Sequence, residues 1–288
     1  MIKLKFKLGE NNQRYIKPIK GFVDWIEEYR EFNQNIKIII HDHPVLSYGY
    51  VNDCQVDMLH NIIYYSLYDI ENYIKKCKTK VDIDSFTYVM MEVFEDLSLQ
   101  LSKFYIINQE NITIHDYIEN YKKFEEGMYR EQKCMVYQFV CMNSKYREHL
   151  QSGLKIKYDS SMPTKLQHAI ELFEDFIIRN INFPIKTKVK FTYENLTDCS
   201  GYFKYPQNLF KYPKIKVSLS EYKRIEKELG DFDAVLNILR ILAHELGHYN
   251  AFVNGVWSYD QQEREIDAYD FENSIIQRFI DEVYYVYY

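Results

Sequence analysis

The 288-residue sequence predicts an α+β protein: a mostly helical N-terminal region over residues 1–150, then a domain over residues 151–288 that combines a small sheet with a long motif-bearing helix. Three observations carry that expectation. Apolar residues recur at helical spacing through much of the first half, and two alternating segments, TKVKFTY and KIKVSLS, stand in the second. Between them QSGLKIKYDSSMPTK, residues 151–165, concentrates Gly, Ser and Pro and marks the boundary.

In chain order, Ile2, Leu4, Phe6 and Leu8 alternate as in a strand, and Phe22, Trp25, Ile26 and Tyr29 follow at helical spacing. The apolar run KIIIHDHPVL then leads into expected helices over residues 56–76, 84–106 and 113–149. Past the boundary, Leu166, Ile170, Phe173 and Ile177 mark a helix over 164–181, and the two alternating segments give strands at 187–193 and 214–220. A helix is expected from Asp231, an N-cap candidate after Gly230, as far as Gly255, and a last one begins near Asp260. No internal repeat is evident.

Composition narrows the function classes. Aromatic residues make up 17% of the chain, 28 of them Tyr, which describes a folded globular protein and not a linker or a disordered tail. The net charge is −6 and Lys is interspersed with Glu along the chain, so a nucleic-acid partner is not expected. MIKLKFKLGENNQ lacks the apolar run of a signal peptide, and no segment reaches the roughly 18 apolar residues of a membrane span, so the expected address is the cytoplasm. Five cysteines without a CxxC pair read as reduced thiols. Tyr-rich NIIYYSLYDIENYI and the tail VYYVYY read as packing surfaces.

The chemistry concentrates in ILAHELGHYNAF, residues 241–252. On a helix His244 and His248 project from one face a turn apart, where both imidazoles can meet one ion, and Glu245 is offset toward a water on that ion. Catalytic zinc takes a third protein ligand, and DQQEREIDAYDFE, residues 260–272, offers carboxylates for it. If the chain reverses after Asn254, Glu263 returns at the height of His248 and becomes the expected third ligand; Glu265 is the alternative. Asp267, a turn beyond Glu263, is expected to accept the Nδ1 proton of a ligating histidine. His41 and His43 share one side of a strand but have no third ligand in view.

HELGHY followed by EREIDAYDFE resembles the paired motifs of gluzincin-type HExxH zinc metallopeptidases and is most similar to those of the ImmA/IrrE-type family. The resemblance spans residues 185–282, with Ile266 at a position where the family usually has Ala. It implies a zincin-like domain in which His244, His248 and Glu263 hold zinc, Glu245 is the catalytic base and Asp267 completes an ExxxD pattern. It also implies that KIKVSLS forms the rim of the substrate cleft. The expected activity is metal-assisted hydrolysis of a peptide bond in a protein or peptide substrate, with oxyanion help from Tyr202, Tyr249, Tyr259 or Tyr269. The competing expectation is a non-catalytic regulatory or binding protein on a zincin scaffold, its N-terminal region recognising a protein partner.

Overall fold

A computed structural model describes residues 1–43, 46–47, 50–51, 54–68, 70, 84–147, 150–196, 199–206, 209, 211–254 and 261–285. The chain is mixed α and β and divides into two compact units, Met1–His149 and Leu150–Tyr288. Among the described residues no helix is long and apolar enough to cross a membrane.

The N-terminal unit opens with β1 (Ile2–Lys7), a 3₁₀ turn (Glu10–Tyr15), α1 (Ile16–Tyr29) and β2 (Ile36–His41). A short hairpin, β3 (Leu46–Ser47) with β4 (Tyr50–Val51), precedes β5 (Cys54–Asp57) and β6 (Ile62–Ser66). The sheet order is β1-β2-β6-β5, parallel except where β5 runs antiparallel to β6. Helices α2 (Ser85–Gln109), α3 (Ile114–Glu119), α4 (Tyr121–Met142) and α5 (Ser144–Arg147) follow. Their aromatic core joins Phe22 to Phe94 and Phe139 at centroid distances of 4.5 and 4.9 Å.

Two helical expectations fail here for identifiable reasons. Residues 54–66 form a strand pair and not the start of a helix, because Ile62, Ile63, Tyr64 and Tyr65 are β-branched and aromatic side chains suited to a pleated surface. Asn61, at φ 54°, turns the chain into β6, a left-handed conformation that Asn tolerates. The rest of that expected helix, from residue 71, lies outside the described residues; of the Tyr stripe, Tyr65 is buried, Tyr68 is exposed and Tyr73 lies outside them. The expected helix over 113–149 is interrupted at Asn120 and again at Asn143, whose backbone is extended.

The C-terminal unit runs β7 (Leu154–Lys157), α6 (Thr164–Asn180), β8 (Thr187–Thr192), β9 (Gly201–Lys204), β10 (Lys214–Ser218), α7 (Tyr222–Leu229), α8 (Asp231–Asn254) and α9 (Gln261–Phe279). β7 lies inside the stretch read from sequence as a boundary, and α7 and β9 were not foreseen. The sheet order is β7-β8-β10-β9, with β7, β8 and β10 parallel and β9 antiparallel to β10. Alternation buries Val189, Phe191, Ile215 and Val217 on one face of the sheet and leaves charged residues on the other. The α6 positions Leu166, Ile170, Phe173 and Ile177 are all buried, as their spacing predicts. The tail VYYVYY begins at Val283, which is buried, and its last three residues lie outside the described ones.

A candidate metal centre

The HELGH segment lies in the second half of α8. Gly230, at φ 100°, ends α7 in a conformation that an L side chain rarely adopts, and α8 starts at the next residue. Apolar positions Leu239, Leu242, Ala243 and Leu246 are buried, which anchors the motif turn. His244 and His248 are then nearly covered, their side chains 14% and 12% exposed, with ring centroids 4.9 Å apart.

The second wall of the site is α9, and two small residues set its distance. A Cβ placed on Gly247 would lie 3.1 Å from Ala268 Cα and 3.2 Å from its carbonyl oxygen, so the two helices meet backbone to backbone there. That contact also fixes the rotation of α9. Glu265, three residues before Ala268, and Glu272, four after it, share the face toward α8, whereas Glu263 and Asp267 point away and are exposed.

His244, His248 and Glu265 therefore form the cluster, their potential ligand atoms all within 4.8 Å of one another. His244 Nε2 is 3.1 Å from one Glu265 carboxylate oxygen and His248 Nε2 is 3.6 Å from the other. The expected third ligand, Glu263, is not in this cluster: it sits about 200° around the helix from Glu265. The position beside Nδ1 of His244 that was expected of Asp267 is occupied by Glu272, whose carboxylate lies 3.5 Å from that nitrogen and 3.5 Å from Arg240. His244 Nδ1 is buried without a hydrogen bond, the carboxylate of Glu272 standing just beyond bonding reach.

Glu245 points from α8 toward β9 and is 5% exposed. Burial and the charge of Glu265 push its pKa up to about 8, while a hydrogen bond from the Phe203 backbone N–H opposes the rise. Gly201 makes the approach of β9 feasible, because a Cβ there would meet Ile241 at 2.7 Å and the Glu245 carboxylate at 3.0 Å. Burial, and next the neighbouring His244, hold the His248 pKa well below the ordinary imidazole value, so this ring is neutral near pH 7.

The rim beside the motif helix is β9 and not KIKVSLS, because β10 is an inner strand with β8 on one side and β9 on the other. Of the four tyrosines considered, Tyr269 stands beside the cluster, its ring 4.6 Å from that of His244. Tyr249 is buried and donates its hydroxyl to the Ile185 carbonyl at 2.6 Å, Tyr202 faces the opposite side of β9, and Tyr259 lies outside the described residues. His41 and His43 have ring centroids 6.2 Å apart, with His43 past the end of β2, and among the described residues they join no three-ligand group.

Sequence reasoning missed Glu272, Gly201 and the Phe203 N–H. Glu272 was legible in principle, seven residues from Glu265 and hence on its face of the helix. The roles of Gly201 and Phe203 depend on β9 pairing with β10 and carry no local signal. Comparison of the chain with protein-family models, with curated proteins and with solved structures finds no match. The resemblance to the metallopeptidases rests on the motif residues alone.

Proposed function

We propose that the C-terminal unit is a zinc-dependent peptidase whose metal ligands are His244, His248 and Glu265. The observation that carries this reading is the spacing of the donor atoms. Ligands about 2.1 Å from a tetrahedral zinc are about 3.4 Å from one another; here one Glu265 oxygen stands 3.1 Å from His244 Nε2 and the other 3.6 Å from His248 Nε2, with one donor atom from each residue lying within 4.8 Å of the others. The donor set, two imidazoles and one carboxylate, is also the one that leaves a fourth position for water or substrate. Bound there, zinc would supply Lewis acidity toward a peptide carbonyl and lower the pKa of a water molecule.

The chain's own groups supply the remaining steps. Glu245 takes a proton from the attacking water and passes it to the departing amine, its carboxylate held beside β9 and shielded from bulk solvent. The Phe203 N–H holds the carboxylate in place. β9 ends the sheet beside Glu245, so an extended peptide crossing the site has a strand edge to run along. Tyr269, whose ring lies 4.6 Å from that of His244, is the tyrosine to which this reading assigns hydroxyl donation to the substrate carbonyl oxygen. The test is hydrolysis of a mixed peptide library by the zinc-reconstituted chain, read by mass spectrometry. Cleavage that Glu245→Gln abolishes while retaining zinc supports the reading, and equal cleavage by both proteins contradicts it.

A further inference from the structure

The C-terminal sheet turns lysines from every strand to the same face. Lys155, Lys188, Lys214 and Lys204 stand in one cross-strand row, and Lys157, Lys190 and Lys216 stand with Tyr202 in the next. All are exposed except Lys216, which is half-buried and pairs with Glu194 at 2.6 Å. Together they line a shallow depression of about 350 Å³.

Two features make this face more than a solvated surface. Like charges directly opposite one another on neighbouring strands destabilise a sheet, yet here they recur across four strands. Parallel strands are also normally covered on both faces, and the three parallel strands of this sheet expose one. The whole chain carries −6, so the positive face is a local concentration and not a property of the composition. It escapes a linear reading because the motifs KIK, KVK and KIK each contribute only alternate residues.

We propose that this lysine face docks an acidic polypeptide segment rich in Asp and Glu. Strand geometry roots the lysines at intervals of about 5 Å across the sheet and about 7 Å along it, and their flexible stems let the ammonium groups meet carboxylates spaced along an extended chain. A single-stranded nucleic acid fits less well. Such ligands are held by aromatic platforms interleaved with the cations, and here the exposed ring is Tyr202, while Tyr212 carries the Lys188 ammonium 4.9 Å above it. The face also continues onto β9, whose Tyr202 and Lys204 point to the lysine side while Gly201 and Phe203 approach Glu245. That the docked segment belongs to the chain being cleaved rests on the peptidase reading; the docking itself does not.

The experiment measures binding to the full metal-free chain by fluorescence anisotropy, so its result is independent of zinc and of hydrolysis. The probes are a labelled oligo-glutamate, a neutral oligo-glutamine of equal length and a single-stranded oligonucleotide of equal charge. The acidic peptide should bind, the neutral one should not, and added salt should weaken the complex by about tenfold or more. Lys188→Gln/Lys190→Gln/Lys214→Gln should also weaken it by about tenfold, whereas Lys223→Gln/Lys227→Gln on α7 should change it by less than about twofold. The triple variant relieves repulsion and should melt no lower than the parent. Protection of Lys188 and Lys190 from acetylation by the bound peptide gives the same answer on the unaltered chain. Equal binding of acidic and neutral peptides, tighter binding of the oligonucleotide, or absence of protection overturns the proposal.

Discussion

In the N-terminal unit the sheet runs β1-β2-β6-β5 and in the C-terminal unit β7-β8-β10-β9. Each has three parallel strands, a helix between the first two, and an antiparallel edge strand that directly precedes its partner among the sheet strands. Each sheet is followed by a packed pair of long helices, α2 with α4 and α8 with α9. The sequence shows no repeat, so what the units share is strand order and not residues. What they place on the facing helices differs sharply.

Counted from the first residue of each helix, His244 and His248 of α8 fall where α2 has Ser98 and Ser102. Both serines are fully buried, and each donates its hydroxyl to a carbonyl three residues earlier, those of Glu95 and Leu99. Their polarity is satisfied inside the helix. The imidazoles reach across to Glu265 on α9 instead. The facing carboxylates differ in the same way: Glu131 of α4 is buried against the Arg30 guanidinium at 2.6 Å, whereas Glu265 faces two imidazoles, one of them held neutral. Glu131, 4% exposed, requires the positive charge that Arg30 provides. Glu265 is 44% exposed, so solvent shares in its hydration.

The largest effect should come from making the second unit resemble the first. His244→Ser/His248→Ser removes two of three donors and should lower zinc affinity by about a thousandfold or more, on the order of 4 kcal/mol, in a competition assay with a chelating dye. Far-ultraviolet circular dichroism should be retained, since buried serines at this spacing already sit comfortably in α2. Retained zinc affinity would place the metal elsewhere.

The converse change tests the first unit. Arg30→Ala strands the Glu131 carboxylate, and because both side chains are nearly covered, at 8% and 4% exposure, the expected loss is about 3–5 kcal/mol in urea unfolding. A loss below about 1 kcal/mol would mean that the pair behaves as a surface ion pair.

A further effect is pH-dependent and concerns the metal-free chain. Glu245 has its pKa raised from an ordinary 4.5 to about 8, so the stability of its protonated form is fully present below 4.5 and is lost as pH rises toward 8. Glu245→Gln never ionises and escapes that loss. The variant should therefore gain on the parent as pH rises from 5 to 8, by roughly 2 to 4 kcal/mol, at about 1.4 kcal/mol per tenfold change in proton affinity. Thermal melting at the two pH values measures it, and an equal difference at both would show that Glu245 is not buried as an acid.

The legible parts of this protein were those written locally. The motif helix, the helix at α6 and the strands β8 and β10 follow from periodicity and from the position of Asp231 after Gly230. The strand pair β5 and β6 was misread because short apolar runs fit either period, and only its pairing with β2 decides between them. The histidines and Glu245 were legible because their spacing within one helix is fixed by geometry. The third member of the cluster was not, because the rotation of α9 is set by Gly247 meeting Ala268 across two helices. A reading that matched this glycine to that alanine would have preferred Glu265, the alternative, over Glu263.

The measurement that tests the metal centre most directly is calorimetric titration of zinc into the metal-free chain, its Glu265→Ala variant and its Glu263→Ala variant. The structure predicts one saturable site per chain in the parent, an affinity lower by about a hundredfold or more in Glu265→Ala, and a change of less than about threefold in Glu263→Ala. No saturable binding to the parent, or a greater loss for Glu263→Ala than for Glu265→Ala, would contradict it.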